Sequence, residues 1–339
     1  MRLSTPRWWY SRDRRTMPVT RTLLTPVSWI WAAATARRIA GASPAEAAAA
    51  VICVGNLTVG GTGKTPIVRA VAERLAARGV QVHLLSRGYG GQLEGPVRVD
   101  PARHTGAEVG DEPLMLARDY PVWVARDRAA GARAAAAAGA QAIVMDDGHQ
   151  NPSLKKALSL VVVDGEVRDG EWPFGDGRVF PAGPMREPLA VGLARADAAV
   201  VLSPADLPGV DAELAAALAA RPVLAARLEP AAPPPPGPQV GFAGVGKPWK
   251  VERALRAAGC QLADFAPFPD HFAYDEATLD RLAARAAQFG AGLVTTEKDW
   301  VRLPPAWRGR VSAWPVRAVF EAPEALDALL ARSISEPRS

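Results

Sequence analysis

The amino-acid sequence predicts an α/β fold in which helices cover both faces of a parallel sheet. From Ala50 onward, short apolar runs alternate with helical patterns, as in strands joined by crossover helices. The chain has 339 residues, enough for one large or two ordinary domains. Apolar residues make up 49% and charged residues 22%, a balance that allows a sizeable core. Cys53 and Cys260 lie far apart, so we expect two reduced thiols rather than a disulfide or a zinc site.

The larger predicted lobe spans residues 41–228 and contains this parallel sheet. A helix is predicted at 65–78, where Ile67, Val71 and Leu75 share one apolar stripe. The other predicted helices are at 126–139 and from 114 onward. The predicted strands are at 51–54, 80–85, 122–125, 142–145, 160–163 and 198–202.

A proline-rich stretch at 229–238, with the sequence EPAAPPPPGP, predicts an extended and fairly stiff connector. We therefore place a domain boundary there and expect residues 229–339 to form a second, smaller α/β lobe. Its predicted strands are at 240–243, 262–265 and 293–295, with helices at 251–258 and 275–289. Asp275 is the expected N-cap of the last helix.

The first 40 residues differ in composition from the rest of the chain. Residues 1–21 carry six arginines and one aspartate, whereas residues 22–36 carry no charge. The uncharged run is shorter than the roughly 20 residues that cross a bilayer, and Pro26 interrupts it. Tryptophans at 8, 9, 29 and 31 are typical of headgroup-level anchors. These features favour an amphipathic helical segment on a membrane surface; the alternative is a helix buried against the core.

A glycine-rich loop lies between the first predicted strand and its following helix. Its residues are Thr58, Val59, Gly60, Gly61, Thr62, Gly63, Lys64 and Thr65. Backbone N–H groups of such a loop and the helix N-terminus bind phosphate, Lys64 reaches the β- and γ-phosphates, and Thr65 reaches Mg²⁺. Thr58 stands where the general motif has glycine, and the alternative is an ordinary turn with a chance lysine. The context predicts a P-loop NTPase-type sheet.

Two acids, Asp146 and Asp147, follow the predicted strand at 142–145. A P-loop enzyme uses an acid at the end of a neighbouring strand to hold its metal ion. The pair therefore predicts a magnesium site, although solvated acids in a turn would give the same pattern. Sequence alone leaves open which of the two binds the ion.

The class of P-loop protein depends on other residues. A guanine-nucleotide switch is disfavoured because Lys298 and Asp299 are adjacent, which is the wrong spacing for guanine recognition. A partition-type ATPase has a second lysine at the start of the loop, where this chain has Val59. A kinase with an alcohol acceptor needs a proton acceptor, for which Asp111 and His271 are candidates. Asp111 could instead cap a helix, and His271 could be an ordinary structural histidine.

Seven short motifs in a fixed order resemble one known family. They are NLTVGGTGKTP at 56–66, SRGYG at 86–90, GDEP at 110–113, DDGHQ at 146–150, PAGPMREP at 181–188, DHF at 270–272 and TEKD at 296–299. The ordered set closely resembles the tetraacyldisaccharide 4′-kinases, the lipid A 4′-kinases of Gram-negative bacteria. Thr58 also agrees with this family's version of the loop.

The resemblance implies ATP and Mg²⁺ as cosubstrates. The implied acceptor is the 4′-hydroxyl of a tetraacylated glucosamine disaccharide 1-phosphate, and the product is lipid IVA. It also implies two lobes with the active site between them and monotopic attachment to the cytoplasmic face of the inner membrane through the N-terminal segment. No nucleic acid or obligate protein partner is expected. A partition-type ATPase acting on a membrane or on DNA remains the alternative.

The resemblance also implies roles for individual residues. Asp111 corresponds to the catalytic base, and His271 to its orienting partner from the second lobe. Lys64 and Thr65 correspond to the phosphate and metal residues, and Asp146 and Asp147 to the acidic pair around the metal. Arg186 and Glu187 correspond to a polar pair near the reaction centre, with Gln150 beside it. Glu297, Lys298 and Asp299 correspond to residues that line the far side of the nucleotide. Arg87 and Tyr89 are candidates to face the lipid headgroup. Arg128 is a candidate phosphate contact, with a solvated helix face as the alternative.

Overall fold

The computed structural model describes residues 6–167, 170–207 and 209–335. Its strands are β1 (Ala50–Asn56), β2 (Val82–Ser86), β3 (Val97–Arg98), β4 (Val122–Val124), β5 (Ala142–Asp146), β6 (Leu158–Asp164), β7 (Ala198–Pro204), β8 (Val223–Pro230), β9 (Pro238–Ala243), β10 (Gln261–Pro267), β11 (Gly292–Thr296), β12 (Val311–Trp314) and β13 (Val316–Phe320). Its α-helices are α1 (Pro18–Ala40), α2 (Lys64–Ala76), α3 (Gly106–Val109), α4 (Asp111–Leu116), α5 (Arg128–Ala137), α6 (Leu189–Ala194), α7 (Ala212–Leu218), α8 (Pro248–Ala257), α9 (Glu276–Gln288), α10 (Glu297–Trp300), α11 (Pro305–Arg308) and α12 (Pro323–Ser335). A 3-10 helix spans Arg7–Tyr10.

The larger sheet has nine strands in the order β13-β8-β7-β6-β1-β5-β2-β4-β3. Its strands are parallel except at the two edges, where β13 and β3 run antiparallel to their neighbours. β1 lies in the middle, and all seven of its residues are buried. Ile67, Val71 and Leu75 of α2 are fully buried in the same core. The predicted parallel sheet flanked by helices is therefore confirmed.

The smaller sheet contains four parallel strands in the order β10-β9-β11-β12. Helix α9 packs on it through Leu279, Leu282 and Ala286. Asp275 caps this helix as predicted, because its side chain accepts a hydrogen bond of 2.8 Å from the backbone N–H of Thr278.

The far end of the chain lies elsewhere than the sequence suggested. We assigned all of 229–339 to the smaller lobe, but β13 pairs with β8 in the larger sheet. Leu326 and Leu330 of α12 are fully buried in the core of that sheet. The connector is also shorter than its composition suggested, because β8 runs to Pro230 and β9 begins at Pro238. Local periodicity predicts single strands but not which distant strands pair with one another. The position of β13 and α12 in the larger lobe was therefore not predicted.

Helix α1 is continuous over 23 residues, through Pro26, and it contacts the protein with polar residues. Its buried residues are Arg21, Ser28 and Thr35, at intervals of seven. Its large apolar residues point outward, with exposed fractions of 72% for Leu23, 69% for Trp29 and 70% for Ile30. Helix α1 is therefore not buried within the core, although it packs on the rest of the protein through these three polar residues. Within the described ranges, no helix has the length and apolar content that crossing a bilayer requires.

Arg21 fixes the start of α1. Its guanidinium lies 2.9 Å from Asp176, and both side chains are almost completely buried. It also donates hydrogen bonds to the backbone carbonyls of Trp8, Ser11 and Asp13. A buried ion pair stabilises a fold only when its remaining hydrogen-bonding groups are satisfied, and these carbonyls supply most of what Arg21 needs.

We expect Arg21→Met to lower the free energy of unfolding by about 3 kcal/mol, because it leaves a buried carboxylate with fewer partners. The measurement is equilibrium denaturation with urea. Arg37→Met, in the exposed last turn of the same helix, is the matched control and should change stability by less than about 0.5 kcal/mol. Equal stability of the two variants would contradict the anchoring role.

Candidate active site

The phosphate loop joins the end of β1 to the start of α2. Gly60 and Gly63 have φ angles of 103° and 77°, which favour glycine. A Cβ atom on Gly63 would lie 2.4 Å from Cδ2 of Leu202, so a side chain there would collide with β7. Lys64 is the first residue of α2, and the free N–H groups of this helix end point into the loop. The loop and helix have the geometry that is typical of anion-binding helix N-termini.

The 181–188 segment holds the loop in place. The backbone N–H of Val59 donates to the carbonyl of Pro184 (2.7 Å), and that of Arg186 donates to the carbonyl of Leu57 (2.8 Å). Nε of Arg186 donates to the carbonyl of Thr58 at 3.0 Å. The Tyr10 hydroxyl donates to the carbonyl of Val59 at 2.7 Å. The phosphate loop is thus held by hydrogen bonds from the 181–188 segment and from the N-terminal segment.

Asp147 is the more tightly paired of the two acids after β5. Arg186 binds both of its oxygens, at 2.7 and 3.1 Å, and Nζ of Lys64 lies 3.7 Å away. Partial burial raises the pKa of Asp147, but the charges of Lys64 and Arg186 outweigh it and hold the pKa well below its usual range. Its φ angle of 53° is unusual for a residue other than glycine. Such strain is common at functional sites.

Asp146 is buried and lacks a full set of partners. Its exposed fraction is 2%, and its Oδ1 atom has no hydrogen-bond donor among the described residues. Burial raises its pKa to about 7, and the nearby charge of Glu112 adds to this. The β1–β5 register places it opposite Val54, two residues before the end of β1 and the start of the phosphate loop. A buried carboxylate oxygen without a partner at this position is suited to a cation.

Glu187 and Gln150 form a supporting layer behind these acids. The Gln150 amide donates to the carbonyl of Asn56 and to Glu187, both at 2.9 Å. Glu187 is buried, and both of its oxygens lie 2.6 Å from Arg195. Arg195 belongs to none of the recognised motifs, and no sequence pattern marks it. Because Arg195 and Gln150 occupy the oxygens of Glu187, this carboxylate is suited to orienting those two side chains.

Asp111 and His271 meet across the two lobes. Nδ1 of His271 lies 3.1 Å from Oδ2 of Asp111, and the φ angle of His271 is 58°. Asp111 is the first residue of α4, and its side chain points to the other lobe instead of capping its own helix. Burial raises the pKa of Asp111, but the hydrogen bond to His271 and the charge of Arg302 lower it below its usual value. The carboxylate therefore stays ionised at neutral pH.

Two residues near this pair had no role in the sequence analysis. Glu112 lies 3.0 Å from Lys298 and is close to Lys64. Partial burial raises its pKa, but the charges of Lys298 and Lys64 bring the pKa below its usual value. Arg302 donates to Asp111 at 2.7 Å. Glu112 lies inside the GDEP motif, which is a signal that we did not use, whereas no pattern marks Arg302.

The side chains of the 296–299 motif point to different parts of the protein. Lys298 reaches Glu112, as described, and Glu297 pairs with Arg69 at 2.6 Å. Asp299 is completely buried and bonded within the smaller lobe, so protein groups occupy the carboxylate that we expected at the nucleotide.

Three further candidates from the sequence lie near the site. Tyr89 is exposed, and its ring centre lies 5.9 Å from that of His271. Arg87 follows the end of β2, as predicted. Arg128 is buried, which rules out a solvated helix face, and burial lowers its pKa to about 10.

A phosphate loop with an acid on the adjacent strand is common to many P-loop nucleotide-hydrolysing enzymes. The cross-lobe pair of Asp111 and His271 adds a positioned carboxylate, the type of group that P-loop kinases use near an acceptor alcohol, and the arrangement is that of a P-loop kinase. Comparison with known proteins narrows the class. The family model described as tetraacyldisaccharide-1-P 4′-kinase matches residues 20–335, and the chain belongs to this family.

Similar proteins agree over nearly the whole chain. The tetraacyldisaccharide 4′-kinase of Phenylobacterium zucineum is 74% identical over 330 residues, covering 97% of this chain and 99% of the relative. That of Caulobacter vibrioides strain NA1000 is 71% identical, covering 97% and 98%. The crystal structure of LpxK from Aquifex aeolicus in complex with ATP has a TM-score of 0.72 and 25% identity, covering 93% of this chain and 99% of that one. The resemblance is confirmed, and the partition-type alternative is not supported.

We expect Lys64→Ala to lower kcat for phosphoryl transfer by at least about 10²-fold, because Lys64 neutralises charge on the transferring group. The matched control is Lys155→Ala, whose side chain pairs with Glu46 on the surface. The measurement is initial rate at saturating substrates. A near-normal kcat for Lys64→Ala would contradict the phosphate-loop assignment.

Proposed function

We propose that the chain transfers the γ-phosphate of ATP to the 4′-hydroxyl of a tetraacylated glucosamine disaccharide 1-phosphate, giving lipid IVA. Family membership supports the reaction, since the relatives at 74% and 71% identity are named as tetraacyldisaccharide 4′-kinases. The observation that carries it in the structure is the Asp111–His271 pair, which couples an acid of the phosphate-loop lobe to the smaller lobe.

ATP is proposed to bind with its phosphates in the loop at 58–65. The constrained loop and the N-terminus of α2 offer N–H donors, and Lys64 adds a positive charge close to Asp147. The related crystal structure is described as a complex with ATP, which supports this placement. We propose that Gln150 stabilises the end of β1, because its amide donates a hydrogen bond to the carbonyl of Asn56.

Mg²⁺ is proposed to lie beside Asp146, with the Thr65 hydroxyl as a second protein ligand. Asp146 has a buried oxygen without a partner, whereas Arg186 occupies both oxygens of Asp147. The described residues contain no cluster of three or more His, Cys, Asp or Glu that could hold a metal. This fits Mg²⁺, which often uses one or two carboxylates together with phosphates and water. When bound, the ion neutralises charge on the β- and γ-phosphates.

Asp111 is proposed to act as the general base. The 4′-oxygen forms a bond to the γ-phosphorus, the bond from that phosphorus to the β–γ bridging oxygen breaks, and ADP leaves. The hydroxyl proton passes to Asp111, whose Oδ2 atom is held by His271. The lowered pKa of Asp111 keeps the base unprotonated before the reaction.

Helix α1 is proposed to dock on the cytoplasmic face of the inner membrane as a peripheral, monotopic element. Its exposed Leu23, Trp29 and Ile30 would enter the interface, with Arg37 and Arg38 near anionic headgroups. Nε1 of Trp31 donates to the carbonyl of Arg186 at 3.2 Å. This contact supports docking close to the active site, where an acyl-chain-anchored acceptor must arrive.

The reaction can be tested with labelled phosphate transfer from ATP to the disaccharide acceptor in detergent micelles. The parent protein should transfer phosphate, and Asp111→Asn and His271→Ala should each lower kcat by at least about 10²-fold with little change in ATP affinity. The double variant should be less impaired than the product of the single losses, since the residues act as a unit.

The control for this series is His104→Ala, which alters a histidine just before α3 whose Nδ1 atom accepts a hydrogen bond from the backbone N–H of Asp100. Failure of the parent protein to phosphorylate the acceptor, alongside brisk ATP hydrolysis, would refute the proposed reaction. Strictly multiplicative losses would show that Asp111 and His271 act independently.

Membrane docking can be tested with Leu23→Glu/Ile30→Glu, which charges the exposed face of α1 and keeps its buried contacts. We expect weaker binding to vesicles containing anionic lipid and a KM for the lipid acceptor raised more than that for ATP. Phe289→Glu, at an exposed apolar residue after α9, is the control. Unchanged vesicle binding in the α1 variant would place the docking surface elsewhere.

A further inference from the structure

Arg302 lies just after α10, in the smaller lobe, and reaches into the other lobe. Only 6% of its side chain is exposed. Nε donates to Oδ2 of Asp111 at 2.7 Å, and Nη2 lies 3.3 Å from Nδ1 of His271. Its guanidinium and His271 thus contact the same oxygen of the acid that we assign as the base.

The smaller lobe holds Arg302 independently of Asp111. Nη1 donates to the carbonyl of Gly244 and to Oδ1 of Asp299, both at 2.9 Å. Asp299 is itself fixed, because it accepts hydrogen bonds from the Tyr274 hydroxyl at 3.0 Å and from the Thr296 hydroxyl at 2.6 Å. The planar guanidinium therefore presents Nε in one direction, and little side-chain entropy remains to be lost when Asp111 binds.

We propose that Arg302 is a positioning residue, which together with His271 commits Oδ2 of Asp111 and so leaves Oδ1 to accept the substrate proton. The inference rests on the proposed function, in which Asp111 is the base. It assigns a task to the buried Arg302–Asp299 pair, which neither the phosphate loop nor the metal site requires.

The position of Oδ1 agrees with this assignment. It has no hydrogen-bond partner among the described residues, whereas Oδ2 has two. Oδ1 also lies against Gly106, where an added Cβ would be only 2.6 Å away. Arg302 and His271 contact Oδ2, and the backbone of α3 lies beside Oδ1. The carboxylate of Asp111 therefore has little freedom to rotate. Arginine keeps its N–H donors across the pH range of an enzyme assay, so this restraint is present throughout the test.

The titratable and charged groups around Asp111 come from both lobes. Arg302 and His271 contact it, Glu112 follows it in α4 and pairs with Lys298, Asp270 lies 3.9 Å from His271, and Asp299 lies behind Arg302. Burial raises the pKa of Asp111, and the His271 hydrogen bond and the Arg302 charge more than compensate. Loss of Arg302 therefore raises this pKa. Since the base must be ionised, the acidic limb of the kcat/KM profile then moves to higher pH.

The test compares the pH profiles of Arg302→Met and Arg302→Lys with that of the parent protein. For Arg302→Met we expect the acidic limb to move up by about one pH unit or more. Its kcat at the optimum should fall by about 10- to 100-fold, with the KM for ATP nearly unchanged. Arg302→Lys keeps the positive charge but loses the planar set of guanidinium donors. The acidic limb of its kcat/KM profile should therefore stay near that of the parent protein, while kcat still falls by about tenfold.

Asp111→Asn separates failure of this inference from failure of the proposed function. If Asp111→Asn is active, Asp111 is not the base, and the proposed mechanism fails. If Asp111→Asn is inactive while Arg302→Met keeps the parent's kcat and acidic limb, Asp111 remains the base and the positioning role is overturned. Arg302→Met leaves Asp299 buried without its cation, so Arg302→Lys decides the matter where the Met variant does not fold. An unchanged kcat in Arg302→Lys would overturn the inference, and a reduced kcat with an unshifted limb would support it.

Discussion

The two-pronged contact between Arg186 and Asp147 joins the parts of the active site. Through its backbone and Nε, the same arginine holds Leu57 and Thr58 at the start of the phosphate loop. Its carbonyl accepts the indole N–H of Trp31 from α1. Paired hydrogen bonds between a guanidinium and a carboxylate fix angle as well as distance, which a single point charge does not. The phosphate loop, the acids after β5 and the N-terminal helix are therefore aligned through one residue, by its backbone and its side chain together.

Several contacts between the two lobes are ionic. Lys298 pairs with Glu112, Glu297 with Arg69, and Lys250 with Asp164 at 2.8 Å. Such pairs are directional, but they are weakened by water and salt when exposed, so they hold a geometry without fusing the lobes as a large apolar interface would. This suits an enzyme that must admit two substrates and then exclude water from the transferring phosphate.

Local sequence patterns predicted the parts of this fold that depend on local physics. The phosphate loop is recognisable because its glycines and lysine occupy fixed places between a buried strand and an amphipathic helix. The pairing of β13 with β8 was missed because the two strands lie far apart in sequence and neither carries a marker of the other. Arg302 was missed for the same reason, since Asp111 lies 191 positions away in the chain. Arg195 is only eight positions from Glu187, but it lies outside every recognised motif. In α1 the sequence showed the apolar residues, but not that Arg21, Ser28 and Thr35 would be the buried ones.

The return of the chain to the larger sheet at β13 has a consequence for biosynthesis. Residues 231–315, which include the smaller sheet, lie between β8 and its edge partner. During translation, β8 therefore emerges from the ribosome long before the strand that covers its outer edge. Until then its open backbone N–H and C=O groups can pair with other nascent chains, as at any uncovered sheet edge. The smaller lobe must therefore be synthesised before the larger sheet can be completed at this edge.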